Sequence, residues 1–325
     1  MKLNLILMAA LLVLLALGLL LGETTLSAAQ YGQAFGDPAS GPAEILWAIR
    51  APRVVAAAVV GAALGLAGAV MQGLLRNPLA DPGVLGVSAG AGLGASLAIA
   101  LGIAAIPGGT EAAALAAALA TGLLLTALAG RFREPETLIL FGVALSAFAG
   151  ALTSLIFNLS PSPVTTVEIL SWLMGSVANR SWSDIGWELA PMTLGAALCV
   201  YAARGLVMLT LGEETAAMSG LPMGRLRAAA VAGASLLTGA AVAMAGIIGF
   251  VGLAAPHLVR AGAGADPGKA LAPSALAGAI LLTAADIAAR MIPTDQELKL
   301  GVVTALFGAP LFALIAWRAA RSWRA

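Results

Sequence analysis

Residues Arg50 to Gly94 read RAPRVVAAAVVGAALGLAGAVMQGLLRNPLADPGVLGVSAGAGLG. Two arginines precede an apolar run, and a polar, proline-broken hinge follows it. A charged side chain at a membrane centre costs roughly 3 kcal/mol, so Arg50 and Arg53 belong at one interface and Arg76, Asn77 and Asp81 at the other. Val54 to Leu75 between them is long enough to cross, which needs about 20 residues. A second glycine-rich apolar run opens after the hinge, so this unit is a membrane-crossing helix, a break and a return.

The rest of the 325 residues agrees, with 60% hydrophobic and 10% charged residues and a mean hydropathy of +0.98. These values exceed what a soluble core requires and predict an all-α polytopic membrane protein. A net charge of +1, with no basic run beyond Arg318, Arg321 and Arg324, excludes a nucleic-acid footprint. The lone Cys199 has no partner for an internal disulfide.

Ten spans are predicted, at about 4–22, 54–75, 84–105, 111–130, 137–158, 185–206, 228–248, 249–262, 271–291 and 299–317. The first is read as a retained helix, although Ser27 and Ala29 would allow signal-peptide cleavage, because its apolar run exceeds the usual ~7 to 15 residues. The stretch 228–262 is divided at Gly246, Gly249 and Gly252, since glycine breaks a membrane helix cheaply where neighbours re-satisfy the backbone. With ten spans and a cytoplasmic N-terminus, Lys2, Arg76, Arg131, Arg133, Arg204, Arg225, Arg227, Arg260, Lys269 and the three tail arginines fall inside. Arg50, Arg53, Arg180, Arg290 and Lys299 fall outside and need a reason. Fusing the doubtful pair would export Lys269 and the tail, so both termini are expected in the cytoplasm. Gly61/Gly65 and Gly86/Gly90/Gly94 have the spacing of close helix packing. The chain reads as a single transmembrane domain, 1–325, with four-helix blocks at 54–158 and 228–317 that enter from opposite faces, the parity of an inverted repeat. A cytoplasmic segment at 207–227 lies between them.

Gly86-Val87-Ser88-Ala89-Gly90 fits the pattern of a serine nucleophile, but it opens a membrane helix instead of a strand-to-helix elbow. His257, the only histidine, lacks the companions of a metal site and reads as structural. Gly264 to Lys269 is one glycine spacing short of a phosphate loop, and Ala270 stands where Ser or Thr is required. The segment from Leu209 to Pro222 is more informative. Glu213 and Glu214 suit a helix N-terminus, while Gly220 and Pro222 stop the helix after about two turns. Such a helix cannot span; it would lie on the membrane surface and present Met218 and Leu221 to another protein, unless it is an ordinary solvated loop.

Five motifs now occur in order: Arg50-Ala51-Pro52-Arg53; Gly68-Ala69-Val70-Met71-Gln72; Arg76-Asn77-Pro78-Leu79-Ala80-Asp81-Pro82-Gly83; Gly249-Phe250-Val251-Gly252-Leu253 with Pro256-His257; and Gly301-Val302-Val303-Thr304 with Gly308-Ala309-Pro310. From about residue 45 onward the chain resembles the FecCD/BtuC-like permeases of type II ABC importers, which take up iron chelates, haem or cobalamin. The resemblance implies a homodimer of ten-helix subunits in the bacterial inner membrane, with the path between the two copies. It also implies two cytoplasmic ATP-binding subunits and a periplasmic substrate-binding protein. ATP and Mg belong to the partner ATPase, this chain holds no cofactor or metal, and it is a transport subunit rather than an enzyme.

By the same resemblance Arg50, Arg53 and Arg290 pair with glutamates of the binding protein. Exposed pairs contribute ~0.2 to 1 kcal/mol each, so they would mainly orient and capture. A same-helix pair between Arg290 and Asp286 is the competing reading. Glu213, Glu214, Met218, Gly220, Leu221 and Pro222 match the coupling helix that seats on the ATPase. Asn77 and Leu79 match the inner gate, although Asn77 also suits a cap of the break at Pro78. Phe141, Ser146, Ser154 and Phe157 on the fifth span would line a mostly apolar path that grips cargo weakly. An iron-containing chelate, haem or ferric siderophore, is the expected cargo because most of the family serves iron; cobalamin is the alternative. More distant are an ion-coupled secondary transporter, which would need an ionisable residue deep in a span, and an intramembrane serine protease built on Ser88 and His257.

Overall fold

The computed structural model describes residues 2–22, 24–129, 135–160, 162–264, 266–292 and 297–322. Arg131, Arg133 and Arg324, three of the expected inside cations, lie outside them. The described residues are all-helical. In chain order the helices are α1 (Lys2–Leu20), α2 (Ala28–Gly36), α3 (Gly41–Ala43), α4 (Ala51–Leu75), α5 (Val87–Ala100), α6 (Gly109–Ala129) and α7 (Pro135–Asn158). After these come α8 (Pro163–Leu173), α9 (Trp182–Leu209), α10 (Glu213–Met218), α11 (Met223–Ala245), α12 (Val251–Ala263), α13 (Pro267–Met291) and α14 (Leu300–Ser322). A π-wound segment, Glu44–Arg50, makes α3 and α4 one continuous rod.

Each of the ten expected spans contains a helix. Seven are long and apolar enough to cross a membrane. Val87–Ala100 and Val251–Ala263 are short, and so is the apolar part of α14, Leu300–Leu314. Ten full crossings are therefore not given by length. The division of 228–262 is present. Gly246 ends α11 at φ 70°, and α12 starts at Val251. The Ala245 carbonyl at the break accepts from the Ser176 amide at 2.8 Å, so the interrupted backbone is satisfied from the neighbouring chain.

α4 and α11 are the buried centre, with 72% and 78% of their apolar windows covered. α4 packs on α13, α11, α12 and α9, while α11 also packs on α6 and α9. The two sequence blocks thus interleave. Close approach depends on absent side chains: a Cβ on Gly61 would run into the Gly278 carbonyl, one on Gly65 into the Ser274 carbonyl, and one on Gly68 into the Gly252 carbonyl. Gly90 and Gly94 seat α5 on Thr121 and Ala113 of α6. Gly86 does something else, forming the left-handed cap between a 3-10 turn and α5 at φ 88°. Cys199 is buried against Gly233 of α11 and is a packing residue.

Two helices were not anticipated. Ser27 begins α2 with a reciprocal box, its hydroxyl accepting from the Gln30 amide and its own amide donating to Gln30 Oε1 at 2.7 Å. Ser162, followed by Pro163, caps α8. The residues that allowed a cleavage site are thus a helix start, and α1 packs on α13 as part of the body.

Candidate functional site

At the Arg53 end, three helices meet through charge. Arg50 donates to the carbonyls of Leu19 (2.9 Å), Leu20 (3.1 Å) and Thr24 and to the Tyr31 hydroxyl (3.0 Å). Arg290 donates to the carbonyls of Gly18 (3.1 Å) and Leu21 (3.2 Å). The last turn of α1 has no intrahelical donors for its carbonyls and carries negative partial charge, and these guanidiniums answer both. Asp286, fully buried, joins Arg53 and Arg290 at 2.9 Å each, and Arg53 also reaches Glu297. The same-helix pair of Arg290 and Asp286 is present.

This corrects the picture of exposed outer cations. Arg50 and Arg290 are buried, Arg50 donating to carbonyls of the α1 end and Arg290 donating there through Nη1 and pairing with Asp286 through Nη2. Arg53 keeps 13% of its side chain open. Arg180 is occupied as well, by Glu111 at 2.8 Å. Cations on this face therefore have an internal reason, the bracing of α1, α4 and α13.

At the opposite end of α4, Arg76 takes a left-handed conformation (φ 48°) and ends the helix. The Asn77 carboxamide oxygen accepts from the Leu79 amide at 2.9 Å, so Asn77 caps the break before Pro78. Asp81 accepts from the Gly83 amide at 2.6 Å and starts the 3-10 turn Pro82–Leu85. Burial pushes its carboxyl up to about 6, against the lowering effect of that amide. A raised folded value means that the native state holds the proton between pH ~4 and ~6, so stability falls as pH rises through that window. Asp81→Asn keeps the oxygen for Gly83 and removes the charge. The full shift corresponds to ~3 kcal/mol, and part of the Asp81 surface remains open, so a gain of ~1–2 kcal/mol is expected at pH 7.5. Unfolding in detergent from pH 4 to 8 should show the gain shrink to nothing near pH 4; a pH-independent difference would refute this origin.

α10 sits beyond Thr210 and Gly212 (φ 98°) as a helix of six residues, shorter than the two turns expected, with Ser219 at its C-cap and Gly220 (φ 82°) behind. Ala216 is buried, Glu213 pairs with Arg227 of α11, and Glu214 and Pro222 are exposed. Met218 is 81% exposed and points away from the body. Leu221 is the correction here: it packs on the core and anchors the segment instead of facing a partner. Leu211, 68% exposed, is the apolar surface residue that the sequence reading passed over.

α7 stands against α5 and the 3-10 turn, with only 11% of its apolar window covered. Phe141 is exposed, and Phe157 and Leu79 are half-buried. The Ser146 and Ser154 hydroxyls donate to the carbonyls of Gly142 (2.9 Å) and Gly150 (3.0 Å) in their own helix. α7 therefore presents fewer free donors than its composition suggests. A cavity of about 610 Å³ opens beside α14, lined by Met174, Ile247, Gly249, Gly301 and Leu306 among others. Among the described residues no group of three or more His, Cys, Asp and Glu side chains is placed to hold a metal.

Comparison with known proteins places the chain in a family. The FecCD transport family model matches residues 10–318. The ABC transporter permease protein YvrB of Bacillus subtilis is 42% identical over 300 residues, covering 90% of this chain and 84% of the relative. The vitamin B12 import system permease protein BtuC of Salmonella typhimurium is 40% identical over 313 residues, 95% of either chain. A solved inward-facing metal-chelate type ABC transporter superposes with a TM-score of 0.87 at 32% identity, covering 98% of this chain and 99% of the other. With its fold and nearly its whole length in common with these proteins, the chain belongs to the FecCD transport family of ABC importer permeases.

Proposed function

We propose that this permease works as a homodimer that passes a bulky metal chelate, cobalamin first among the choices, from a periplasmic binding protein to the cytoplasm. Two cytoplasmic ATPase subunits, which bind the ATP and Mg, drive it. The observation that carries the coupling is α10, a six-residue helix fixed at Ala216, Leu221 and the Glu213–Arg227 pair with an apolar tip at Met218. A short, firmly seated helix transmits force as a body, and an exposed methionine beside Leu211 suits a groove. Nucleotide binding draws the ATPases together, α10 follows with α9 and α11, and the path beside α7 and α14 changes the face to which it opens. Asn77 and Leu79 move with the α4 hinge as its inner constriction.

The docking role of Arg50, Arg53 and Arg290 is retained in an altered form. Arg53, the most open of the three by its pairing with the part-exposed Glu297, is the residue at which a binding-protein glutamate exchanges in. The other two hold the platform. An apolar wall whose hydroxyls are internally bonded leaves selectivity to the binding protein.

For cargo, the expectation of iron came from a base rate, whereas a relative matching 95% of the chain is named for vitamin B12 import. An iron chelate is the second reading, favoured by the likeness to a metal-chelate type transporter. In proteoliposomes with both partner proteins, labelled cyanocobalamin should enter on ATP addition and ferric siderophore or haem should not compete; the reverse pattern would move the assignment to iron. Met218→Glu should cut ATP-driven uptake at least tenfold, as loss of a hot-spot contact does, with the fold intact. Uptake unchanged by it would remove the coupling role from α10.

A further inference from the structure

Behind the Asn77–Pro78 break lies a cavity of about 400 Å³ that none of these roles uses, lined by Gln72, Arg76, Asn77, Thr210, Arg260 and Asp266 among others. It is enclosed by the end of α4, the last turns of α12 and the first of α13. Gln72 is 5% exposed. Its Nε2 donates to the Leu253 carbonyl at 3.4 Å, which occupies the donor end of the amide. That Oε1 is buried and has no hydrogen-bond partner. Buried acceptors are normally satisfied, so this one waits for a donor.

The charges around it have the complementary need. Arg76 and Arg260 are exposed on the rim, and neither is among the ion pairs of the described residues. Asp266 neutralises neither of them: it accepts from the amides of Gly268 (2.9 Å) and Lys269 (3.1 Å) and pairs with the Lys269 ammonium at 3.4 Å. Two free guanidiniums call for an anion with several oxygens, which phosphate supplies in the geometry of their fork. The orphaned amide oxygen calls for a hydroxyl donor close by. An ionised carboxylate would answer the arginines and leave Gln72 unpaired.

We propose that this cavity binds a hydroxylated phosphate ester, a phosphate held by Arg76 and Arg260 with a neighbouring hydroxyl donating to Gln72. The chemistry is that of phosphoglycerol, which reaches a protein either as the head group of an anionic lipid or as free glycerol phosphate. Basic pockets between membrane helices at the cytoplasmic boundary take lipid head groups. An occupant here touches α4, α12 and α13 at once, next to the hinge and to Thr210, where the chain leaves for α10. It therefore favours whichever gate position keeps those three ends together.

The test uses the full-length permease in neutral detergent, with native mass spectrometry to count bound molecules. Phosphatidylglycerol should be retained at least tenfold better than phosphatidylcholine, and better than phosphatidylmethanol, which has the same charge and no hydroxyl. Arg76→Gln with Arg260→Gln should lose that retention at least tenfold. Gln72→Leu should keep charge-dependent binding and lose the preference over phosphatidylmethanol, which keeps the proposal falsifiable if the double variant does not fold. Arg225→Gln removes an exposed cation that does not line the cavity and should change nothing. Displacement by free glycerol 3-phosphate assigns the soluble ester as occupant, and resistance assigns the lipid. Equal retention of all three lipids, an equal loss in Arg225→Gln, or an effect of the arginine variants on ATPase association alone would overturn the site.

Discussion

Replacing Asp286 by alanine is expected to lower the stability of the folded subunit by about 3–5 kcal/mol, the range found when one member of a buried ion pair is removed. The carboxylate is fully buried between Arg53 and Arg290 at 2.9 Å from each. Without it Arg290 keeps only the carbonyls of Gly18 and Leu21, which orient its charge without neutralising it. Arg53 retains Glu297, so the loss concentrates on Arg290 and on the seat of α1. Asp286→Asn should fall between, since its oxygen still accepts from Arg53. Asp286→Leu combined with Arg290→Met should recover much of the loss, because replacing a whole buried pair by apolar bulk is often neutral. Unfolding of the purified subunit measures all three. An alanine variant as stable as the parent would mean that the network does not hold this end together.

That network is also where sequence reading fell short. The residue types and their interfacial position were legible from 50–94, but whether an arginine at a membrane edge faces water or turns inward depends on what stands beside it in space. Arg50 and Arg290 turn to the last carbonyls of α1, about 30 and about 270 positions away in sequence, and backbone carbonyls leave no residue-type signal. Asp286 and Arg290, four apart on one helix, were visible as a pair. The helix starts at Ser27 and Ser162 were legible in principle: Ser27 with Gln30 is a capping box, and Ser162 stands before a proline. The first was weighed only as a residue that would allow cleavage after a helix read as retained, and its capping pattern was passed over.

The break in 228–262 was read correctly from its glycines, and their function explains why. A membrane helix can stop in the middle only if something else bonds its free carbonyls, here Ser176 to Ala245, and glycine leaves space for that neighbour. The short surface helix after α9 was legible because a polar stretch with glycine and proline brakes is rare in so apolar a chain. The inward turn of Leu221 was not, since Met218 and Leu221 are both apolar and only packing separates them. The bounds of α12, Val251–Ala263, fall within two residues of the expected 249–262, and its 13 residues are fewer than the ~20 of a full crossing.

The glycine seam along α4 gives the second large effect. Gly61→Val should destabilise the subunit by at least ~3 kcal/mol, the upper end for overpacking, because its Cβ meets the backbone carbonyl of Gly278 and no rotamer change can move that atom. Gly68→Val should do the same through the Gly252 carbonyl. Gly186→Ala, on the exposed side of α9 with nothing within 4 Å of the added carbon, should be neutral or gain up to ~1 kcal/mol of helix propensity. Gly61→Val and Gly278→Val obstruct one contact from its two sides, so the double variant should fall well short of the sum. Folded yield after extraction and unfolding in detergent measure these. If Gly61→Val matched Gly186→Ala, the two backbones would not be in contact. Because α4 carries the Arg53 network at one end and the Asn77 break at the other, a variant that folds with α4 pushed off α13 should also lose ATP-driven uptake, even though it alters neither end.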